Sequence, residues 1–312
     1  MSYHIGSFNI RDFNYSNISR EGEKIKRDFD KIAKIIVNEN FDVVAIQEVN
    51  AESPLKHLTD VLNRKYKRYN REYSYAYGGD MPTSSKDPER YGFIWNNKRL
   101  RLIDIPRKKN PSYYQNAGGV TLQRPPYYAR FTARGMHGGT NFELRLVNVH
   151  ILDSKYEPER IAEFDILVKQ VLPRICDHQE LSSDMEIMPS YTFLLGDYNI
   201  CLNKSSRAVF KIERITSTNY TGKNRDFVTV QEEATSLRQV KDQQDIESCY
   251  ANNYDHFTYE RNLQNRLRIS EARRVEALSK YFSGERGPAD KLRNYREKVS
   301  DHVPIHINID LK

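Results

Sequence analysis

The sequence predicts one layered α/β or α+β domain, and three observations carry that prediction. Short apolar runs of strand length alternate with stretches whose apolar residues recur at helical spacing. The strand runs are apolar on more than one face, so layers must cover them on both sides. Chemistry-bearing residues extend from Asn9 to His302 with no Pro-, Gly- or Ser-rich linker between them, so residues 1–312 read as a single unit.

Strands are expected at about 3–10, 42–47, 91–96, 142–149, 191–195 and 303–309. In the last, Ile305, Ile307 and Ile309 alternate with His306, Asn308 and Asp310, the pattern of a half-buried strand. Residues 23–39 place Ile25, Phe29, Ile32 and Ile36 on one helical face. Residues 157–172 do the same with Ile161, Phe164, Leu167, Val168 and Val171 behind Pro158. A third helix is expected over 270–282, with Ser270 as N-cap and Gly284 as stop. The polar stretches 78–90, 104–124 and 203–250 read as loops with short elements.

A chain of 312 residues can bury a sizeable core without disulfides. Cys176, Cys201 and Cys249 are odd in number and widely spaced, which suits free thiols in a reducing compartment. The N-terminal MSYHIGSFNIRDF has no basic region followed by a long apolar run, and no membrane span of about 18 apolar residues occurs, so a cytoplasmic location is expected. The formal charge is +7, and residues 261–298 hold eleven Lys/Arg against five Asp/Glu. A basic surplus of this kind attracts polyanions through counterion release, nucleic acid among them.

Four phrases end apolar runs with hard oxygen ligands or a histidine: FNIRDF (8–13), IQEVN (46–50), LLGDYNI (194–200) and VSDHVPI (299–305). Glu48 emerges from FDVVAIQ, where burying its carboxylate calls for a metal ion or an arginine as partner. Asp197 and Asn199, two apart on an extended chain, point to the same side, and Gly196 permits a tight approach. Asp301-His302 precedes the last strand, and Asp255 in NNYDHF could orient an imidazole for acid/base work. His150 ends the alternating run ELRLVNV.

With these residues the chain resembles the endonuclease/exonuclease/phosphatase superfamily, and within it most resembles deoxyribonuclease I, over about residues 3–310. The signature is matched in order by Asn9, Glu48, His150, Asp197, Asn199, Asp255, Asp301 and His302. PERYGFIW is similar to the segment whose glutamate backs the second histidine, pairing Glu89 with His150. RPPYYARF makes Arg124 a candidate phosphate ligand, and FNIR places Arg11 where a DNA-contacting arginine lies. The loop 78–90 has no aromatic just ahead of Glu89, unlike the secreted enzyme, and the disulfides are missing as well.

The resemblance implies a four-layer sandwich, two packed mixed β-sheets flanked by helices, with the site at one end. It implies a metal-dependent DNA endonuclease in which Mg²⁺ or Mn²⁺ is held by Glu48, assisted by Asn9, Asp197 and Asp301. His302, oriented by Asp255, is then the general base, and His150, backed by Glu89, the acid or phosphate ligand, with the two roles exchangeable. Asn199 and Arg124 would stabilise the five-coordinate phosphorus. The same set also serves enzymes acting on damaged DNA, RNA, nucleotides or lipid headgroups, and a non-catalytic nucleic-acid module is a third class. An intact nuclease retained in the cell implies restricted substrate choice, low expression or an inhibitory protein partner.

Overall fold

Along β1 (Ser2–Phe13) the side chains sort by the period of two: Tyr3 and Ile5 face the space between two sheets, while Phe8 and Ile10 face a layer of helices. The computed structural model describes residues 2–15, 22, 26–67, 71–81, 89–104, 109–115, 122–133, 142–153, 155–177, 189–201, 215–218, 224–241 and 243–312. Residues 23–25 of the first expected helix and parts of the three expected loops (82–88, 105–108, 116–121, 203–214, 219–223 and 242) lie outside these residues.

The first sheet adds β2 (Val43–Val49), β3 (Tyr73–Tyr77), β4 (Arg90–Asn96), β13 (Leu267–Ile269), β14 (Arg273–Arg274) and β15 (Ile305–Leu311). Their order is β13-β15-β1-β2-β4-β3, with β14 also beside β15. The second sheet contains β5 (Leu100–Leu102), β6 (Ser112–Tyr113), β7 (Tyr127–Ala133), β8 (Glu143–His150), β9 (Ser190–Asp197), β10 (Ile215–Thr218), β11 (Asn224–Val230) and β12 (Asp255–Glu260). Here the order is β10-β11-β12-β9-β8-β7-β5, with β6 on β7. β1 and β2 run parallel, as do β8 and β9, and the other pairs are antiparallel, so both sheets are mixed.

Between the sheets lies a core that includes Ile5, Val43, Phe93, Phe131, Leu144, Phe193, Phe257 and Ile307. Helices α1 (Phe29–Asn38), α2 (Glu52–Tyr66), α5 (Ala277–Tyr281) and α6 (Pro288–Lys298) pack on the outer face of the first sheet. Helix α3 (Glu157–Ile166) continues through one π turn, Leu167–Val171, into α4 (Leu172–Asp177) and covers the second. The result is the four-layer sandwich implied by the motif order. α1 begins at Asp28, whose side chain accepts from Lys31 N.

The helix expected over 270–282 is mostly absent. Ser270 Oγ accepts from Asn308 N instead of capping a helix, Arg273 and Arg274 pair with β15, and only Ala277–Tyr281 is helical. Hydrogen bonding to the final strand outweighs the local helical pattern there.

Register places the chemistry. His150 pairs with Asp197 across β8/β9, and Asp197 pairs with Asp255 across β9/β12, so three strands present their polar residues at the same height. Gly196 makes this possible: its φ is +145°, and a Cβ there would sit 1.9 Å from Val149 O. We therefore expect Gly196→Ala to destabilise the fold by at least about 3 kcal/mol in denaturant titration, because no flexible side chain is available to yield.

Candidate active site

Strand ends from both sheets converge on one carboxylate oxygen, Asp197 Oδ2. Asn9 Nδ2 donates to it at 2.9 Å, and His302 Nε2 and His150 Nε2 lie 3.6 and 3.8 Å away. Each histidine is backed by a carboxylate on its other nitrogen. His302 Nδ1 is 2.8 Å from the fully buried Asp255 Oδ2, and His150 Nδ1 is 2.9 Å from Glu89 Oε2. The two imidazoles thus face each other across the site, with their orientations fixed from behind.

Burial works against charge on His302, but Asp255 and Asp197 outweigh it and push the imidazole up to about 10. His150 is also raised. Burial and the neighbouring Arg124 oppose its charge, whereas Glu89 and Asp197 favour it. Asp197 and Glu48 are both raised above ordinary carboxylates, chiefly by burial, and Glu89 adds to the effect at Glu48.

Glu48, next to last in β2, has φ at +59°. Its Oε1 accepts from Asn9 Nδ2 at 3.0 Å and its Oε2 from Asp12 N at 3.1 Å. Asn9 therefore spends its amide N–H groups on Glu48 and Asp197, and its buried Oδ1 has no hydrogen bond among the described residues. A hard cation fits this set: two buried carboxylates held above their normal range and an amide oxygen awaiting a partner. Asp197, Asp255 and His302 also offer ligand atoms within 4.8 Å of one another, although the His302–Asp255 hydrogen bond already occupies two of them.

Asp301 lies at the edge of the set. Its carboxylate is 3.2 Å from Arg11 Nη1 and 3.8 Å from Arg296 Nη2, and its charge acts on both Glu48 and His302. Arg11 is buried and turned towards Asp301 and Asp12 rather than outward. Arg124 Nη2 shares Glu89 Oε2 with His150 at 2.9 Å. Asn199, with φ at +51°, donates from Nδ2 to Ile151 O, and its own N–H caps Asp197 Oδ1.

Several contributors leave little trace in the sequence. Ser300 Oγ donates to Asn9 O and accepts from Arg11 N and His302 N, stapling β1 to the His302 turn. The Tyr91 hydroxyl accepts from His150 N. His256 is fully buried, with its ring nitrogens 3.0 and 3.2 Å from Ile200 O and Gln231 O, and burial lowers it. Each lies within one of the motif phrases, Tyr91 in PERYGFIW, His256 in NNYDHF and Ser300 in VSDHVPI, but a strand or turn residue explains each of them equally well.

Much of the positive charge of the basic segment 261–298 is met within the protein. Six of its eleven cations, Arg261, Arg273, Arg274, Lys280, Arg293 and Arg296, are ion-paired. A cavity of about 360 Å³ lined by Cys176, Thr192, Arg225 and Glu260 lies near the start of β9, away from Asp197, and Arg225 there is paired with Asp177 and Glu260. All three cysteines are free. No described helix is long and apolar enough to cross a membrane.

The sandwich is the fold of endonuclease/exonuclease/phosphatase proteins. An endonuclease/exonuclease/phosphatase family protein from Bacteroides thetaiotaomicron superposes with a TM-score of 0.58 at 14% identity, covering 100% of this chain and 99% of that one. The mannosyl-6-phosphatase Bt3783 of the same organism gives 0.57 at 14% identity, covering 99% and 100%. D. rerio TDP2 complexed with a single-strand DNA product gives 0.51 at 13% identity, covering 99% of each chain. No family model matches the chain, and no curated protein matches it in sequence.

Proposed function

We propose that this chain is a divalent-metal-dependent phosphoesterase that hydrolyses an internal phosphodiester of DNA. The observation that carries the reading is the convergence of two carboxylate-backed imidazoles on Asp197 beside the Asn9–Glu48 oxygen set. Asn9, Glu48 and Asp197 would hold Mg²⁺ or Mn²⁺, with Asp301 adding charge from the edge. The chemistry supplied by the ion there is neutralisation of charge on the phosphate and the leaving oxygen.

The remaining work falls to the side chains. Of the two exchangeable assignments, we favour His302 as the acid and His150 as the base, the reverse of the order preferred from sequence. His302, held up at about 10, retains its proton near neutrality and presents Nε2–H to the leaving oxygen while Asp255 keeps the ring in place. His150, raised as well but with Arg124 opposing its charge, is given the complementary role of taking a proton from water at Nε2. Water oxygen bonds to phosphorus, the bond to the leaving alkoxide breaks, and one proton enters at His150 as another leaves from His302. Asn199 and Arg124 stabilise the five-coordinate phosphorus.

A smaller phosphodiester, RNA, damaged DNA or a lipid headgroup is the second reading. The internal pairing of the basic segment favours it, since less free positive charge is left to hold a long duplex. The experiment is conversion of supercoiled plasmid to nicked and linear forms in Mg²⁺ or Mn²⁺. Cutting that chelator and His302→Ala both abolish is the expected result. A folded wild type that leaves plasmid intact yet cleaves a small diester would establish the second reading.

A further inference from the structure

On the faces that meet between the two sheets, three strands change from apolar to polar where they approach the site. β1 passes from Tyr3 and Ile5 to Ser7, β2 from Val43 and Ala45 to Gln47, and β8 from Leu144 and Leu146 to Asn148. The three polar side chains are fully buried and joined: Gln47 Nε2 donates to Asn148 Oδ1 at 2.6 Å and to Ser7 Oγ at 3.2 Å. Asn148 Nδ2 donates to Ile46 O at 3.1 Å and to Gly92 O at 3.2 Å, so one side chain of the second sheet grips two strands of the first.

It grips them at an irregularity. Ile46 pairs with Gly92 and Val49 with Arg90, which leaves Gln47 and Glu48 together opposite Tyr91, a β-bulge of one extra residue. Glu48, inside the bulge, has φ at +59°, a conformation that persists only where the surroundings hold it. The Tyr91 hydroxyl accepts from His150 N, and Asn148 lies two residues before His150 on the same face of β8. Stability is a poor reason for this network, since apolar side chains of similar shape would fill the same space at little cost, whereas Gln47 Oε1 is buried with no hydrogen bond among the described residues.

We propose that Asn148, held by Gln47, is a positioning residue: it fixes the bulge that aims the Glu48 carboxylate and locks that bulge to the strand carrying His150. It thereby sets the metal-holding side of the site, in the first sheet, against the proton-transfer side in the second. The inference rests on the metal role proposed above for Glu48. Without the Asn148 amide the Ile46 and Gly92 carbonyls lose this donor, and β2 is free to relax Glu48 towards ordinary strand backbone, carrying its carboxylate away from Asn9 Nδ2.

The test uses the double variant Gln47→Leu/Asn148→Leu, which removes both amides and so leaves neither side chain orphaned. Thr132→Val is the control: it deletes a buried hydrogen bond, Thr132 Oγ1 to Phe142 O, at the end of β7 and β8 away from His150. Mn²⁺ binding is measured by electron paramagnetic resonance without substrate, and kcat and KM on bis(p-nitrophenyl) phosphate. In the double variant, folded by circular dichroism, the Mn²⁺ Kd should rise and kcat should fall by about tenfold or more each, with KM changed little. Thr132→Val should stay near wild type in both. A folded double variant that binds Mn²⁺ and turns over as wild type does, or losses that Thr132→Val shares, overturns the role of Asn148 and leaves the phosphoesterase reading intact. If the double variant does not fold, Gln47→Met decides on the same readouts, since it keeps the bonds of Asn148 to Ile46 O and Gly92 O: Mn²⁺ affinity weakened by about threefold or more supports the role, and unchanged affinity overturns it. A folded wild type that neither binds Mn²⁺ nor cleaves any phosphodiester overturns both the inference and the reading beneath it.

Discussion

Replacing His302 is expected to lower kcat/KM for phosphodiester cleavage by about 10²- to 10⁴-fold, the range for loss of one positioned proton-transfer group. The choice of replacement matters because Asp255 is fully buried behind the ring and its carboxylate has no other hydrogen-bond partner among the described residues. His302→Ala would leave that carboxylate without its imidazole, costing on the order of 3–5 kcal/mol of stability besides activity. His302→Gln, whose amide can still donate to Asp255, separates the catalytic loss from the structural one. Near-normal turnover by a folded His302→Gln would remove His302 from the chemistry. A second consequence concerns pH. A histidine raised from about 6.5 to about 10 contributes stability that is complete below the lower value and fades as pH rises through the upper one. In chelator, wild type should therefore lose stability relative to His302→Gln across that window, which denaturant midpoints at its two ends will show.

Glu48→Gln is expected to raise the Mg²⁺ concentration needed for half-maximal activity by about tenfold or more, since a charged ligand becomes neutral. Its effect on the metal-free fold should run in the opposite direction. Glu48 is buried, and Glu89 and Asp301 add like charge, so the native state disfavours its ionised form. Above the resulting raised pKa, an uncharged amide relieves that penalty, and Glu48→Gln should unfold at higher denaturant in chelator than wild type does. Adding Mg²⁺ at about 100 times its dissociation constant should stabilise wild type by about 2.7 kcal/mol, and the variant by much less. Equal Mg²⁺ dependence of both activity and stability in the two proteins would show that Glu48 is not a ligand.

Much of the site was legible because its residues terminate apolar runs. FDVVAIQ and YTFLL are strands in any reading, and a carboxylate at the end of each must emerge where the sheet stops. The order of the phrases then implied the sandwich. What sequence could not supply was pairing at a distance. The sharing of one Glu89 oxygen by Arg124 and His150 joins the start of β4, the approach to β7 and the end of β8, three places far apart in sequence. Helix α2 went unread although Leu55, Leu58, Val61 and Leu62 recur at helical spacing; Ala51 provides no side-chain cap to mark its start, and charged residues fill its exposed side. The 270–282 segment failed the other way, with a good local pattern overridden by pairing to β15. Charge counting does not separate arginines that serve the fold, as Arg274 does by lying 3.8 Å over the Tyr250 ring and pairing with Glu247 and Glu276.

The strand that follows His302 pairs with the strand that carries Asn9, and Ser300 bonds to Asn9 across 291 positions of sequence. Contacts of such separation form late, because the intervening chain must be ordered first. During synthesis Asp255 lacks its imidazole and β1 lacks its β15 neighbour until the segment around His302 has been made. The His302–Asp255 pair is thereby tied to completion of the first sheet, so it is absent from any shorter folding intermediate.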